Sequence, residues 1–204
     1  MVASEIITKA NAYVGTYVYW YGGKGERCSS ALLNRLAKAY PSVYTSAYIA
    51  KCQADIKNGK YCIDCSGLVC ASYGVAHRGT EQFSTIWKTW TGSPKNGMIL
   101  YRKGHCGIYN DGYVIEARGK DYGVTNTRVY KASEWTRVYY SLTVDYEEGQ
   151  EMKRTAKEYL TCAMNVIAGA YASGETRKAK VKSEGYDYDI VQSLVNTALK
   201  GASK

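Results

Sequence analysis

The first part of the chain repeats its apolar positions every three to four residues, which is typical of amphipathic helices. This period predicts helices at residues 2–14, 29–38, 43–58 and 65–73. Ser29 or Ser30 is able to cap the second helix, and Gly59 and Gly74 follow the third and fourth as stop signals. The aromatic run of residues 17–23 ends in two glycines and indicates a strand or a turn.

The apolar period shortens to two between Met98 and Val144, which indicates strands. Five are predicted, within residues 97–101, 105–109, 112–117, 123–130 and 137–144. The Asn110-Asp-Gly112 sequence between the second and third is typical of a tight hairpin turn. Helices followed by an antiparallel sheet predict an α+β fold.

A polar stretch near residues 145–150 interrupts the pattern and predicts a linker. We therefore divide the chain into a first domain at 1–145, a linker at 146–153 and a small C-terminal domain at 154–204. Helical patterns at residues 154–168, 175–183 and 189–199 predict a three-helix bundle for the small domain. A module of this size is only marginally stable alone, which suits an accessory role.

Composition excludes several classes of protein. The chain has 204 residues, of which 46% are hydrophobic and 22% charged, as in ordinary globular domains. No apolar run reaches the ~18 residues of a membrane span, so no membrane insertion is expected. The net charge of +9 favours an anionic partner surface, but no nucleic-acid-binding fingerprint accompanies it. The N-terminus has no continuous apolar stretch, so synthesis in the cytoplasm without a signal peptide is expected.

Cysteine and tyrosine carry more information. Seven cysteines are an odd number, which argues against a disulfide scaffold and for synthesis in a reducing compartment. The 21 tyrosines against one phenylalanine suit a wet groove that binds sugar or peptide.

His77 and His105 are the candidates for any imidazole base. His77 lies in a polar loop, whereas His105 opens the strand that leads into the predicted hairpin. If the turn is Asp111-Gly112, Glu116 lies diagonal to His105 at ~7–8 Å, and if it is Asn110-Asp111 the two lie opposite each other. Either register brings a carboxylate to the imidazole, where it would fix the tautomer and stabilise the cation.

Cys65 is the candidate nucleophile because it stands at the predicted start of an apolar helix. The amide groups and dipole of a helix N-terminus favour the thiolate, and a nearby imidazolium adds to that effect. A cysteine at a helix start, with a histidine and a carboxylate on a sheet hairpin, is a papain-type arrangement for nucleophilic catalysis. Cys62, three residues earlier, suggests a reversible disulfide with Cys65.

The ordered motifs of residues 1–145 resemble the NlpC-type cysteine peptidases of bacterial cell walls. They are Tyr19-Trp-Tyr-Gly-Gly23, Asp64-Cys-Ser-Gly-Leu-Val69, Pro94-Lys-Asn-Gly-Met98 and Gly104-His-Cys-Gly-Ile-Tyr109. The resemblance implies a papain-like fold with helices packed on an antiparallel sheet.

The same resemblance implies a role for each matching residue. Cys65 is the nucleophile, His105 the base and Glu116 the third polar residue that orients the imidazole. Tyr19 matches a tyrosine that helps to stabilise the oxyanion. Asp64 and Ser66 match residues that flank the nucleophile and often bind the free amine of the stem peptide.

Two departures from the family stand out. Glu116 occupies a position that is often histidine, although a carboxylate orients an imidazole well. The segment of residues 24–61 is longer than the usual connection and brings two extra helices. Because it could reshape the groove, the position of the cleaved bond is not carried over from the family.

The tail resembles the choline-independent cell-wall-binding repeat of some phage lysozymes. The similar stretches are residues 166–174, 175–178 and 185–196. The resemblance implies a bundle that binds muropeptide, with candidate contacts at Arg177, Tyr186, Asp187, Tyr188 and Gln192. The glycines at helix ends, with Asp187 or Asp189 as a helix cap, explain much of the same pattern structurally.

Rival interpretations remain open. Cys62, Cys65, His105 and Cys106 could be drawn as a zinc site, although neighbouring residues of a strand point to opposite faces. A thioredoxin-like enzyme would need a βαβ pattern around the Cys-x-x-Cys motif. A related scaffold also carries acyltransferases and transglutaminase-like enzymes.

The sequence as a whole predicts a peptidoglycan hydrolase, an endolysin or autolysin, with a Cys65–His105–Glu116 triad and no cofactor or metal. The expected bond is γ-D-glutamyl to diamino acid. The alternatives are an N-acetylmuramoyl-L-alanine amidase and a non-catalytic wall-binding protein. Action at the bacterial cell wall after release through a phage holin is the expected localisation. The oligomeric state is not predicted.

Overall fold

The chain divides into two compact units, Met1–Glu147 and Glu148–Lys204. A computed structural model describes residues 1–146 and 156–201. Residues 147–153 of the predicted linker, the first two residues of the predicted tail helix and the last three residues of the chain lie outside the described residues. Within the described ranges, no helix is long and apolar enough to cross a membrane.

Four helices form in the first unit, as the apolar period predicts. They are α1 (Ala3–Asn11), α2 (Ser30–Ala39), α3 (Ser46–Lys57) and α4 (Cys65–Tyr73). Ser29 caps α2 by accepting a hydrogen bond from the Leu32 amide at 3.2 Å. Helix α1 is shorter than predicted because the chain turns after it, with Gly15 at a φ of 70°.

A small three-stranded sheet links the helices. It consists of β1 (Tyr17–Tyr19), β2 (Lys24–Arg27) and β3 (Tyr61–Ile63), in the order β1-β3-β2. Strand β1 runs parallel to β3, and β2 runs antiparallel to it. The aromatic run therefore does begin as a strand, whereas the sequence pattern did not predict β2 or β3, which are too short to show a period.

A six-stranded antiparallel sheet follows, in the order β4-β9-β5-β6-β7-β8. Its strands are β4 (Lys88–Trp90), β5 (Ile99–Arg102), β6 (His105–Asn110), β7 (Tyr113–Ala117), β8 (Val124–Val129) and β9 (Arg137–Tyr140). The five predicted strands are present, and β4 is an additional edge strand. Helices followed by this sheet confirm the α+β class.

The turn between β6 and β7 is Asp111-Gly112, because Asn110 pairs with Tyr113. Asp111 has a φ of 46° and Gly112 a φ of 82°, the left-handed conformations that a two-residue hairpin turn needs. Of the two registers considered, the structure adopts the one that places Glu116 diagonal to His105.

The first unit contains two main apolar clusters. The larger lies where α1 and α4 cover the sheet, with Leu68, Ile108 and Ile115 fully buried. The other belongs to residues 24–61 and packs α2 and α3 around Trp20 and Cys62. The long connection is therefore a folded element with a core of its own.

Three helices form the described part of the second unit: α5 (Ala156–Ile167), α6 (Gly174–Ser183) and α7 (Tyr188–Gly201). Their shared core contains Cys162, Ala163, Val166, Val181, Val191 and Val195. Their bounds lie within two residues of the predicted helices wherever both are described.

Candidate functional site

Cys65 is the first residue of α4, and its side chain is 7% exposed. The preceding residue, Asp64, caps the helix: its Oδ1 atom accepts from the Gly67 amide at 2.6 Å and from the Ser66 hydroxyl at 2.9 Å. The cap leaves the thiol at the positive end of the helix, where a thiolate is stabilised.

Glycines let the chain approach this helix closely. The Gly22 amide donates to Asp64 Oδ2 and the Asp64 amide donates to the Gly23 carbonyl, both at 2.9 Å. A Cβ atom on Gly67 would lie only 2.6 Å from the same Gly23 carbonyl. The glycine pair of the aromatic run thus fixes Tyr19–Gly23 against the start of α4.

His105 and Glu116 meet across the β6–β7 hairpin. The Nε2 atom of His105 lies 2.6 Å from Oε2 of Glu116, whose side chain is fully buried. Gly107 permits this approach, since a Cβ there would lie 2.6 Å from Val114 and 3.3 Å from Glu116. The carboxylate is therefore placed to orient the imidazole, as the register predicts.

Two residues that sequence reasoning missed support this pair. Arg128 on β8 lies with its Nε 3.2 Å from Glu116 Oε1, an ion pair whose geometry falls short of a hydrogen bond, and its Nη2 is 3.2 Å from Glu134. Trp135 stacks on His105 with 5.8 Å between ring centroids and also lies 5.0 Å from the Arg128 guanidinium. No spacing rule links these residues to the hairpin.

Two neighbouring side chains, those of Cys106 and His105, influence the Cys65 thiol. Cys106 is the largest influence and, together with His105, lowers the pKa of Cys65 to about 5 although burial opposes the shift. Burial and the neighbouring Cys65 hold the pKa of Cys106 well above its usual range, so Cys106 remains a donor. Cys106 is buried with Cys65 in the larger core, whereas His105 stacks on Trp135, which belongs to a different cluster.

His105 is biased towards its cation. Burial alone would lower its pKa, but the contacts with Cys65 and Glu116 outweigh burial and raise it. A lowered thiol pKa beside a raised imidazole pKa favours a thiolate–imidazolium pair. Such a pair is a ready nucleophile with an acid beside it.

Tyr19 ends β1 beside this pair. Burial, followed by the nearby Cys65 and Asp64, raises the pKa of its hydroxyl. The group therefore stays protonated and able to donate a hydrogen bond, which is what an oxyanion partner requires.

A cleft of about 470 Å³ opens over the thiol, with Tyr19, Asp64, Cys65 and Ser66 in its lining. His77 also lines it, 3.2 Å from the Ser66 hydroxyl and 4.0 Å from Asp64 Oδ1. The sequence-predicted residues of the first domain are thus brought together, and the second histidine of the chain joins them at the Ser66 end.

The candidate contacts of the tail serve the fold in part. Asp187 Oδ1 caps α7 by accepting from the amides of Asp189 and Ile190, at 2.8 and 3.2 Å. Asp187 is thus the cap, whereas Asp189 lies inside the helix. Tyr186 packs against the core of the unit, and Arg177 Nε donates to the Ala172 carbonyl at 2.8 Å.

Tyr188 and Gln192 belong to a polar row along α7. The Tyr188 hydroxyl donates to Gln192 Oε1 at 3.1 Å, and Gln192 Nε2 donates to Asn196 Oδ1 at 2.9 Å. Gln192 lines a groove of about 370 Å³ with Asp189, Ser193, Asn196 and Thr197. Of the five candidates, Gln192 alone is among the residues that line this groove.

The rival uses of the cysteines find little geometric support. Across residues 1–146 and 156–201, no group of three or more His, Cys, Asp or Glu side chains is arranged to hold a metal ion. Cys62 belongs to the cluster around Trp20, where its thiol approaches the Glu26 carbonyl at 3.6 Å, whereas Cys65 belongs to the larger core. The two thiols of the Cys-x-x-Cys motif face different cores.

A family model matches part of the second unit. Residues 161–199 match the CW_7 repeat. This match begins within α5 and covers α6 and most of α7, where the sequence alone resembles a wall-binding repeat. No curated protein matches the chain in sequence.

Two solved structures are similar to the chain. The peptidoglycan hydrolase RipB from Mycobacterium tuberculosis is 21% identical with a TM-score of 0.44, and the match covers 68% of this chain and 63% of RipB. The P60 domain of an antigen from M. avium subspecies paratuberculosis is 17% identical, also at 0.44, over 68% of this chain and 93% of the domain. At this level of similarity, the chemistry of the chain rests on its own side chains.

Proposed function

We propose that this protein is a peptidoglycan hydrolase, a cysteine peptidase that cleaves an amide of the stem peptide. The observation that carries the proposal is the row Cys65–His105–Glu116, in which Cys65 lines the 470 Å³ cleft and has a thiol pKa lowered to about 5. The match of residues 161–199 to the CW_7 repeat supports the bacterial cell wall as the place of action.

The geometry supports a two-step acyl transfer. The Cys65 thiolate attacks the carbonyl carbon of the amide, and the Cys65 amide and the Tyr19 hydroxyl face the developing oxyanion. The His105 imidazolium gives its proton to the leaving amine as the carbon–nitrogen bond breaks. His105 then takes a proton from water, which attacks the thioester and releases the acid and the Cys65 thiolate.

The bond proposed is γ-D-glutamyl to diamino acid. Asp64 and Ser66 line the cleft beside Cys65, and an acidic group there suits the free amine of the acyl side of a stem peptide. Cleavage at N-acetylmuramoyl-L-alanine is the alternative on the same triad. The second unit would hold the enzyme on its insoluble substrate, which raises the local concentration of the cleavable bond.

Origin and export belong to the proposal as well. Synthesis in the cytoplasm, followed by holin-mediated release to the wall, is the route proposed for a phage endolysin. Complementation of a lysis-defective phage, with and without its holin, tests this route.

Mass spectrometry of digested sacculi tests the function. Wild type should release new amino and carboxyl ends at one stem-peptide bond, and Cys65→Ser should lower the rate by at least ~10³-fold while the protein stays folded. His105→Ala should be similarly inactive. His77→Ala is the matched histidine control and should keep most of the activity.

Three results would count against the proposal. Inactivation by EDTA with recovery on zinc addition would replace the thiol by a metal. Full activity of Cys65→Ser would remove the nucleophile. Intact sacculi after treatment with a folded wild type would favour a wall-binding protein without hydrolytic activity.

A further inference from the structure

A second cavity adjoins the catalytic cleft. It measures about 330 Å³ and is lined by Tyr19, Tyr21, Val43, Thr45, Tyr48 and Lys120. Tyr19 and Tyr21 also line the cleft over Cys65, so the two cavities share a wall. Val43, Thr45 and Tyr48 come from residues 24–61, the long connection that departs from the family pattern.

The shared wall is held in place by tyrosines of this connection. The Tyr48 hydroxyl donates to the Tyr19 carbonyl at 3.0 Å and accepts from the Tyr21 amide at 3.3 Å. The Tyr44 hydroxyl donates to the Tyr21 carbonyl at 2.8 Å, and its ring stacks on Tyr48. The connection therefore holds the segment that carries Tyr19, and Tyr48 also lines the new cavity.

The opposite wall comes from the loop between β7 and β8. Lys51 of α3 forms an ion pair with Asp121 of this loop at 2.9 Å. The neighbouring Lys120 stands over the Tyr48 ring, with its Nζ atom 5.9 Å from the ring centroid. The pair with Asp121 thus ties the loop that carries Lys120 to α3.

The lining selects one kind of ligand. Its aromatic and aliphatic surfaces accept a short apolar stem, Thr45 offers a hydroxyl, and Lys120 is the one charged side chain of the six. An ammonium group could approach the tyrosine rings only against the repulsion of Lys120. A carboxylate is attracted by Lys120, and the carbon chain that bears it can pack against the tyrosine rings.

We propose that this cavity is a substrate subsite that binds a free carboxylate of the stem peptide through Lys120, with the adjoining aliphatic group on Tyr48 and Val43. The proposal rests on the proposed function, and it assigns residues 24–61 a role in substrate selection. The carboxylate is either the C-terminal one or one carried along the stem, on the glutamyl or the diamino-acid residue.

Calorimetric titration of full-length Cys65→Ser with soluble stem tetrapeptides distinguishes these sources. One peptide has every carboxylate free, and each of the others has a single carboxylate converted to the amide. Amidation of the bound carboxylate should weaken binding about three- to tenfold, the usual cost of losing a charge-assisted hydrogen bond at a partly exposed site. Lys120→Met should weaken the unmodified peptide equally.

The combination of variant and peptide is decisive. Lys120→Met should bind the unmodified peptide and the peptide amidated at the bound carboxylate with equal affinity, since the contact with Lys120 is already absent. Lys120→Arg should keep most of the affinity. Lys88→Met, which removes an exposed lysine of the edge strand β4, should bind every peptide as the parent does.

Each outcome separates the two proposals. If the effects of Lys120→Met and of one amidation are not additive, the subsite is supported and the amidated position identifies the bound carboxylate. Binding of all the peptides without any coupling overturns the subsite and leaves the proposed function intact. No binding of any tetrapeptide to the folded protein overturns both.

Discussion

The Nε atom of Arg128 lies 3.2 Å from Oε1 of Glu116, so the buried carboxylate that contacts His105 is itself paired with a cation. Glu116 is fully buried, and an ionised carboxylate at such a site is costly unless it is paired. Its two oxygens face an imidazole and a guanidinium. The fold thus compensates the charge of the carboxylate beside His105.

Replacement of Arg128 tests this compensation. Arg128→Leu should lower the free energy of unfolding by about 1–3 kcal/mol, because a buried charge loses one of its partners. Denaturant unfolding measures the change. Arg102→Leu is the matched control, since Arg102 also lies over the Trp135 ring, at 5.5 Å, but forms no ion pair with Glu116 in the structure. An equal loss in both variants would attribute the effect to the ring contact instead.

The pH profile should follow the thiolate–imidazolium pair. Activity requires Cys65 ionised and His105 protonated, so it should rise with pH through about 5 and fall above the raised pKa of His105. In Glu116→Gln the contact that helps to raise the His105 pKa is lost, and the upper limb should move to lower pH. Initial rates on a soluble peptide measure both limbs. An upper limb that does not move would show that Glu116 leaves the protonation of His105 unaffected.

Cys106 should influence the pH at which activity rises on the acidic side of the profile. Its thiol is the largest influence that lowers the pKa of Cys65, and burial keeps it protonated as a donor. Cys106→Ala should therefore move the lower limb to higher pH, whereas Cys106→Ser should keep a donor and move it less. The rate of thiol alkylation against pH reports the same ionisation without substrate. Identical profiles for the three proteins would mean that the Cys106 contact does not influence the thiolate.

Wall binding should be separable from cleavage. Gln192→Ala in the full chain removes a side chain from the α7 groove, so retention on sacculi stripped of anionic polymers should fall about three- to tenfold through lost hydrogen bonds. Cleavage of a soluble peptide should stay unchanged. Lys178→Ala on α6 is a control for charge. If it reduces retention as strongly, the tail acts as a charge anchor.

Much of the site follows from local signals in the sequence. The Asn110-Asp-Gly112 signal predicts a two-residue hairpin turn, and either register of that turn carries Glu116 to His105. The start of α4 at Cys65 is likewise predicted by the apolar run that begins there and ends at Gly74. Both inferences concern residues that are close in the chain, where spacing determines geometry.

Contacts between distant segments could not be predicted in this way. Arg128 and Trp135 reach the triad only because β8 and the turn after it pack against the hairpin. The short strands β2, β3 and β4 are defined by their partners in the sheet, since three or four residues show no reliable period.

The protonation states of the cysteines have a practical consequence. All seven thiols are free and buried, and the pKa values of Cys52, Cys62, Cys70 and Cys106 are raised, whereas that of Cys65 is lowered to about 5. A mild electrophile near pH 6 should therefore alkylate Cys65 well before these four. Cys65 is thus a selective labelling site, and the amount of a reporter dye bound there would measure the fraction of molecules in a preparation that have a reactive thiol.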